Sequence, residues 1–149
     1  MDKKRLTKIL AKADKKVVAA LSSDIQKTCC PVIVKGPEKT LTMIKMREPV
    51  KQSLFYLGEV IVCEAVVEID GVKGVAVTMG DDADKTLDMA IIDAAVNKGV
   101  FEGMDKLLEL EEEQNDREKR ENAMHLKTMV NFESMDQGAP NDLNAFKKA

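Results

Sequence analysis

The sequence predicts an α+β fold in which a small antiparallel sheet of about four strands is flanked by helices. Two patterns in the middle of the chain carry this prediction. Apolar and polar side chains alternate from residue 60 to residue 79, with the period of a β-strand, and a turn at Asp70-Gly71 interrupts them. After Gly80 the apolar residues recur at helical spacing instead. A hairpin that leads directly into a helix accounts for both patterns.

The first strand of this hairpin divides its residues between two faces. One face carries Ile61, Cys63, Ala65, Val67 and Ile69, and the other carries Val60, Val62, Glu64, Val66, Glu68 and Asp70. We expect the first face to be dry and the second to be partly wet. Asp70-Gly71 suits a tight turn, because glycine tolerates a positive φ. Val75, Val77 and Met79 then resume the alternation as the return strand.

The helix after this hairpin is predicted to be amphipathic. Its apolar residues are Leu87, Ala90, Ile91, Ala94 and Ala95. Asp82 is a suitable N-cap, and Gly99 is a suitable C-terminal stop. Asp93 lies beside the apolar stripe, so we expect its carboxylate to be hydrogen-bonded or to reach an interface, because an unpaired buried charge is costly.

Four aspartates near the start of this helix raise the question of a metal loop. They are Asp81, Asp82, Asp84 and Asp88. The glycine that the sharp turn of a calcium-binding loop requires is missing. The free N–H groups and the dipole of a helix N-terminus attract carboxylates, so we favour helix capping as the explanation.

The N-terminal part of the chain is predicted to contain one helix and two short strands. The helix follows from the spacing of Leu6, Ile9, Leu10, Ala13, Val17 and Leu21, which are separated by lysines and so do not form a signal peptide. Residues 31–34 and 40–46 read as strands on either side of Gly36-Pro37. The connection is too short for a crossover helix, so we expect them to pair antiparallel.

The C-terminal part is predicted to be a helix followed by an extended arm. Met104, Leu107 and Leu108 begin the helix, and residues 111–122 are almost wholly charged, which favours a solvated face over a docking surface. We expect residues 1–126 to form one domain and residues 127–149 to form the arm. Residues 128–135 can form a short strand with Val130 and Phe132 on one face, either bound to a partner or folded back on the domain.

Composition excludes several classes of function. The net charge is −3 with both signs interspersed, and one Tyr and no Trp supply few stacking surfaces, so we expect no binding to nucleic acid. No apolar run is long enough to cross a membrane. Cys29, Cys30 and Cys63 have neither C-x-x-C spacing nor an even count, so we expect them to pack as small apolar residues in a reducing, cytoplasmic setting.

The chain offers little chemistry of its own. His125 is the only histidine, which rules out a zinc site with several imidazoles, and we expect it to be exposed. Gly71-Val72-Lys73-Gly74 does not form a phosphate-binding loop, so we expect no cofactor bound by this chain alone. Glu59, Asp82 and Asp93 remain as candidate acid or base groups, with no catalytic residue assigned.

Several short motifs follow one another along the chain: Phe55-x-x-Gly58-Glu59, the hairpin from Gly71 to Gly80, Gly80-x-Asp82, Ala90-Ile91-Ile92-Asp93-Ala94 and Val130-Asn131-Phe132-x-x-Met135. In this order they resemble the PhnG family, which supplies a small subunit of the bacterial carbon–phosphorus lyase system. The resemblance runs from about Pro37 to Met135, and the order and spacing of the motifs carry it. Asp81 and Met129 stand where many relatives carry arginine, so a basic contact is expected to be missing at both positions.

The resemblance implies a role in a hetero-oligomeric complex with subunits H, I and J of the lyase (PhnH, PhnI and PhnJ). With PhnI, such proteins support transfer of a phosphonate onto C1′ of the ribose of ATP, with release of adenine. ATP is then a substrate of the complex, and the chain is expected to be inactive alone. The resemblance also implies partner contacts at Val130, Asn131, Phe132 and Met135.

Two other functions remain open from the sequence. A stand-alone α+β binding or regulatory domain would be a stable monomer or homodimer that ignores the lyase subunits. An autonomous small enzyme would use Glu59, Asp82 or Asp93 as an acid or base. Activity of the isolated chain would distinguish this enzyme from the other two.

Overall fold

A computed structural model describes residues 2–130 of the chain, and within them it has an α+β fold, as predicted. The described elements are α1 (Lys3–Lys12), α2 (Lys15–Thr28), β1 (Val32–Arg47), β2 (Leu54–Ile69), β3 (Val72–Met79), α3 (Ala83–Lys98) and α4 (Met104–Lys127). One compact unit ends at Asn115 and a second begins at Asp116, within α4. No helix in this part of the chain is long and apolar enough to span a membrane.

The sheet is antiparallel in the order β1-β2-β3, and the predicted hairpin is confirmed. Asp70 and Gly71 join β2 to β3 with φ angles of 47° and 83°, the left-handed values of a two-residue hairpin turn. The described residues form three strands and not the expected four, because β1 is continuous. The register shift between Lys35 and Glu38 takes up Gly36 and Pro37, which an edge strand tolerates.

The N-terminal helix predicted from the sequence is two helices. The break falls at Ala13 and Asp14, where the Asp14 side chain accepts a hydrogen bond of 2.9 Å from the backbone N–H of Lys16 and so begins α2. Helical periodicity alone misses such a break, because apolar spacing continues across it. Both helices contribute to the core, through Leu6, Ile9, Leu10, Val18, Leu21 and Ile25.

The helix α3 is buried on nearly all sides, and not only along the predicted stripe. Its buried residues are Thr86, Met89, Ala90, Ile91, Ile92, Asp93, Ala94 and Ala95. It packs on β2 and β3 and also against α1 and α2, so little of its surface reaches water. Asp82 and Gly99 cap its ends as predicted, with Gly99 in the left-handed conformation at φ 80°.

Small residues bring β3 and α3 unusually close together. A Cβ added at Gly74 would lie 2.3 Å from the carbonyl oxygen of Ala90 and 2.3 Å from the amide nitrogen of Ala94. Ala76, on the same face of β3, is buried. The larger Val75, Val77 and Met79 therefore lie on the opposite, exposed face of the sheet.

The predicted dry face of β2 is confirmed for four of its five residues. Cys63, Ala65, Val67 and Ile69 are fully buried, but Ile61 is 54% exposed. Ile61 lies beyond the end of β3, since Met79 is paired with Val62, and the sheet is only two strands wide there.

Two further predictions concern cysteine and charge. Cys63 is buried as expected and Cys29 is half-buried, whereas Cys30 is exposed, which the prediction of buried thiols missed. In α4, Leu107 is buried and His125 is exposed. Within the charged run of residues 111–122, Glu111, Gln114 and Glu118 are half-buried and the other side chains are exposed, so most of the run is solvated as predicted.

We predict that Gly74→Ala destabilises the fold by about 1–3 kcal/mol, the usual cost of overpacking, because the new methyl group must displace the α3 backbone. The free energy of unfolding, measured by urea titration and circular dichroism, reports the loss. Gly36→Ala is the matched control: an added Cβ there has no neighbour within 4 Å. Equal stability of the two variants would contradict the close approach.

Candidate functional site

The three candidate acid or base residues do not form one cluster. Asp82 caps the N-terminus of α3, and Asp93 lies about 16 Å further along the same helix at 1.5 Å per residue. Glu59 lies on β2, paired with Met43 and exposed, beyond the end of β3. The described residues contain no group of three or more His, Cys, Asp or Glu that could hold a metal ion.

Asp82 is held by the helix start and by a lysine. Its carboxylate accepts hydrogen bonds from the backbone N–H of Lys85 at 3.2 Å and from Nζ of Lys15 at 2.8 Å. The Lys15 hydrogen bond, and next the Lys85 N–H, lower the pKa of Asp82 below its usual value. Lys15 also binds Asp84 at 2.9 Å. These contacts confirm capping for Asp82, while Asp84 lies in the first turn and Asp81 pairs instead with Lys39 at 3.0 Å.

Asp93 joins three elements of the core. The residue is 4% exposed, and its Oδ2 accepts hydrogen bonds from the backbone N–H of Val75 at 2.9 Å and from the Asn97 side chain at 3.3 Å. Nζ of Lys3 lies 2.9 Å from the same oxygen. The carboxylate of α3 thus satisfies an N–H of β3 and pairs with α1, as a buried charge requires.

Two buried polar contacts of α3 were not foreseen from the sequence. The hydroxyls of Thr78 and Thr86 lie 2.5 Å apart between β3 and α3. Asp88 faces Ser22 of α2, and burial raises the pKa of its carboxyl, while the Ser22 hydrogen bond opposes that rise. Apolar spacing carries no signal for such contacts, because they depend on which helix packs against α3.

A cavity of about 450 Å³ lies between the end of α2 and the segment after α3. Leu21, Ile25 and Phe101 supply apolar walls, and the charged lining has both signs: Lys27, Lys106, Asp24 and Glu102. Its volume falls in the range of small-molecule sites. None of the candidate residues lines it, and the sequence did not predict it.

An extended apolar surface is exposed where β1 and β2 continue beyond β3. We call residues 41–47 and 54–61, with their connecting turn, the distal ribbon. Its exposed large side chains are Leu41, Met43, Met46, Val50, Leu54, Phe55, Tyr56, Leu57 and Ile61. The motif residues Phe55, Gly58 and Glu59 all belong to it. The sequence predicted a strand at residues 40–46 and the hairpin strand from residue 60, but not that residues 54–59 belong to the same strand or that both faces of the ribbon are exposed.

The turn of the distal ribbon is ordered by its own side chains. The Glu48 carboxylate accepts hydrogen bonds from the backbone N–H groups of Val50 at 3.1 Å and Lys51 at 2.9 Å. Arg47 donates to the carbonyl oxygen of Gln52 at 3.2 Å. The ribbon is therefore a defined structural element.

Of the residues expected to bind a partner, only Val130 belongs to the described part of the chain, and it is exposed. Asn131, Phe132 and Met135 lie outside the described residues. Their role in partner binding stays a prediction.

We predict that Asp93→Ala lowers the free energy of unfolding by about 1–3 kcal/mol, because it leaves the N–H of Val75 without its buried acceptor. Asp84→Ala, on the same helix but 81% exposed, is the control and should cost less than about 1 kcal/mol. Chemical denaturation of both variants gives the comparison. Equal losses would show that the Asp93 contacts contribute no more than a surface ion pair.

Comparison with known proteins assigns the chain to a family. The family model described as phosphonate metabolism protein PhnG matches residues 1–138. No curated protein matches the chain. The matched region includes every described element, the distal ribbon and the hairpin that enters α3. The chain belongs to the PhnG family of phosphonate metabolism proteins.

Proposed function

We propose that the chain is a non-radical subunit of the carbon–phosphorus lyase core complex. With PhnI it supports transfer of an alkylphosphonate to C1′ of the ribose of ATP, as part of an α-D-ribose 1-methylphosphonate 5-triphosphate synthase. The observation that carries the proposal is the family match over residues 1–138. PhnH, PhnI and PhnJ are the partners in this proposal, and ATP is a substrate of the complex.

The reaction exchanges one bond at C1′ for another. A phosphonate oxygen forms a bond to C1′, the bond from C1′ to the adenine nitrogen breaks, and adenine leaves with a proton on that nitrogen. Catalysis must place the phosphonate oxygen against C1′ and stabilise the departing base. We assign most of this chemistry to PhnI.

Two features of the described residues favour a role for this chain as a partner of the catalytic subunit. Asp82 and Asp93, two of the three candidate acids or bases, are engaged in capping and in core hydrogen bonds. The distal ribbon exposes apolar side chains on both faces, which suits a protein that works against other chains. Glu59 on this ribbon remains a candidate for contact with substrate in the complex.

We predict that the purified chain alone does not release adenine from ATP. The chain together with PhnI, PhnH, a phosphonate and the L component of the same lyase system should release adenine, as measured by chromatography of the free base. Matched reactions omit this chain or the phosphonate in turn. Robust release by the chain alone, or undiminished release in its absence, would contradict the proposed function.

We also propose that residues 127–149 form a partner-binding arm through Val130, Asn131, Phe132 and Met135. Truncation after Leu126 should abolish co-purification with PhnI and leave the circular dichroism of the domain intact. Truncation after Met135 retains all four residues and is the control, so it should still bind. An unfolded shorter protein, or one that binds at full strength, would contradict the arm.

A further inference from the structure

The distal ribbon is an apolar surface without a cover among the described residues. Eight of its side chains, Leu41, Met43, Met46, Leu54, Phe55, Tyr56, Leu57 and Ile61, are each between 43% and 61% exposed. Summed over both faces of the ribbon, they leave on the order of 800 Å² of mostly apolar surface in water, about one partner's share of a standard interface.

The register shows that this surface covers both faces of the ribbon. Directly paired residues share a face, so Leu41 and Ile61 lie together, and Met46 and Phe55 lie together on the other face. An isolated two-stranded ribbon is marginally stable in water. A partner that covers the ribbon would stabilise it as well as bind it.

One edge of the ribbon is open for a further strand. β3 ends with Met79 paired to Val62, and residues 54–60 of β2 have no strand on that side among the described residues. An added strand would lie in line with β3, and its main-chain hydrogen bonds would satisfy the N–H and C=O groups of that edge. The strand's own side chains would then meet the apolar residues of the ribbon.

The charges near the turn of the ribbon indicate the chemistry of this strand. Lys45, Arg47 and Lys51 are exposed, and no carboxylate in residues 2–130 forms an ion pair with any of them. Lys45 lies 5.8 Å over the Tyr56 ring, and the carboxylate of Glu48 is engaged by the turn. Glu59 lies at the other end of the ribbon, so a partner whose carboxylates come next to the turn, beside an apolar segment, would complement the positive charge there.

A second copy of the chain fits the open edge less well. Leu57 is the extra residue at a β-bulge, because Ile44 is paired with Gly58 and Lys45 with Tyr56. Antiparallel self-pairing centred on residues 54–60 would set the two Leu57 residues opposite each other. In that pairing two bulges meet at one point, whereas a different strand meets only one bulge and can adapt its own backbone to it.

We propose that the distal ribbon docks a non-identical chain, which adds an extended apolar segment flanked by carboxylates along residues 54–60. This inference rests on the proposed function, because it takes the occupant from the subunits of the lyase complex. It goes further by assigning the docking element and the chemistry of the segment that binds it.

The experiment captures tagged full-length chain after co-expression with PhnH and PhnI. Met43→Ser with Leu57→Ser should reduce the captured PhnI about tenfold or more, as loss of central apolar contacts does. Val32→Ser with Val34→Ser, also exposed on the same sheet, should leave capture within about twofold of wild type. All four side chains are exposed in the monomer, so circular dichroism and Tm should stay near wild type.

Two charge-reversal variants test whether the bound segment carries carboxylates. Lys45→Glu with Lys51→Glu should weaken the capture of PhnI. Lys4→Glu with Lys8→Glu on α1 changes the net charge equally and should not weaken it. Hydrogen exchange of the wild-type complex should show protection of amides in residues 54–60, which requires no variant to fold.

The outcomes separate the two proposals. If wild type captures no lyase subunit, the proposed function and this inference both fail. If wild type captures the subunits but the ribbon variants bind equally well and amides 54–60 stay unprotected, only the inference fails. A wild-type homodimer that protects amides 54–60 by itself would overturn it in favour of a second copy.

Discussion

The close approach of α3 to β3 is the constraint on which the rest of the domain depends. Gly74 allows the helix backbone of Ala90 and Ala94 to lie where a side chain would otherwise be. At this separation Asp93 reaches the N–H of Val75, so the edge of β3 and the helix share a hydrogen bond in the core. The close approach is favourable because dispersion and hydrogen bonding both act only over short distances.

Because this interface has room only for small residues of β3, the larger apolar residues of the sheet lie outside it. The interface accepts small residues, so Val75, Val77 and Met79 lie on the outer face of the sheet, and β1 and β2 carry further apolar residues past the end of β3. The distal ribbon follows from the same geometry, because neither α3 nor β3 extends far enough to cover it. Among the described residues the ribbon is uncovered, and we propose that it is a surface for assembly.

Local signals predicted the joints of the structure well. The turn at Asp70-Gly71, the cap at Asp82 and the stop at Gly99 depend on backbone conformation and on neighbours within a few residues. The predicted strand and helix boundaries were wrong where one sequence pattern is compatible with two structures. Gly36-Pro37 can end a strand or form an irregularity within it, and helical spacing continues through the break that the Asp14 cap imposes.

The sequence by itself determined the α+β class, the hairpin that enters α3 and the family, because periodicity, turn chemistry and ordered motifs are properties of neighbouring residues. Only the tertiary structure decided which apolar residues are covered. Ile61 and Cys63 have the same place in the alternation, yet Ile61 is exposed and Cys63 is buried. The difference arises because burial depends on where β3 ends and α3 packs, and those limits are set by contacts between distant segments.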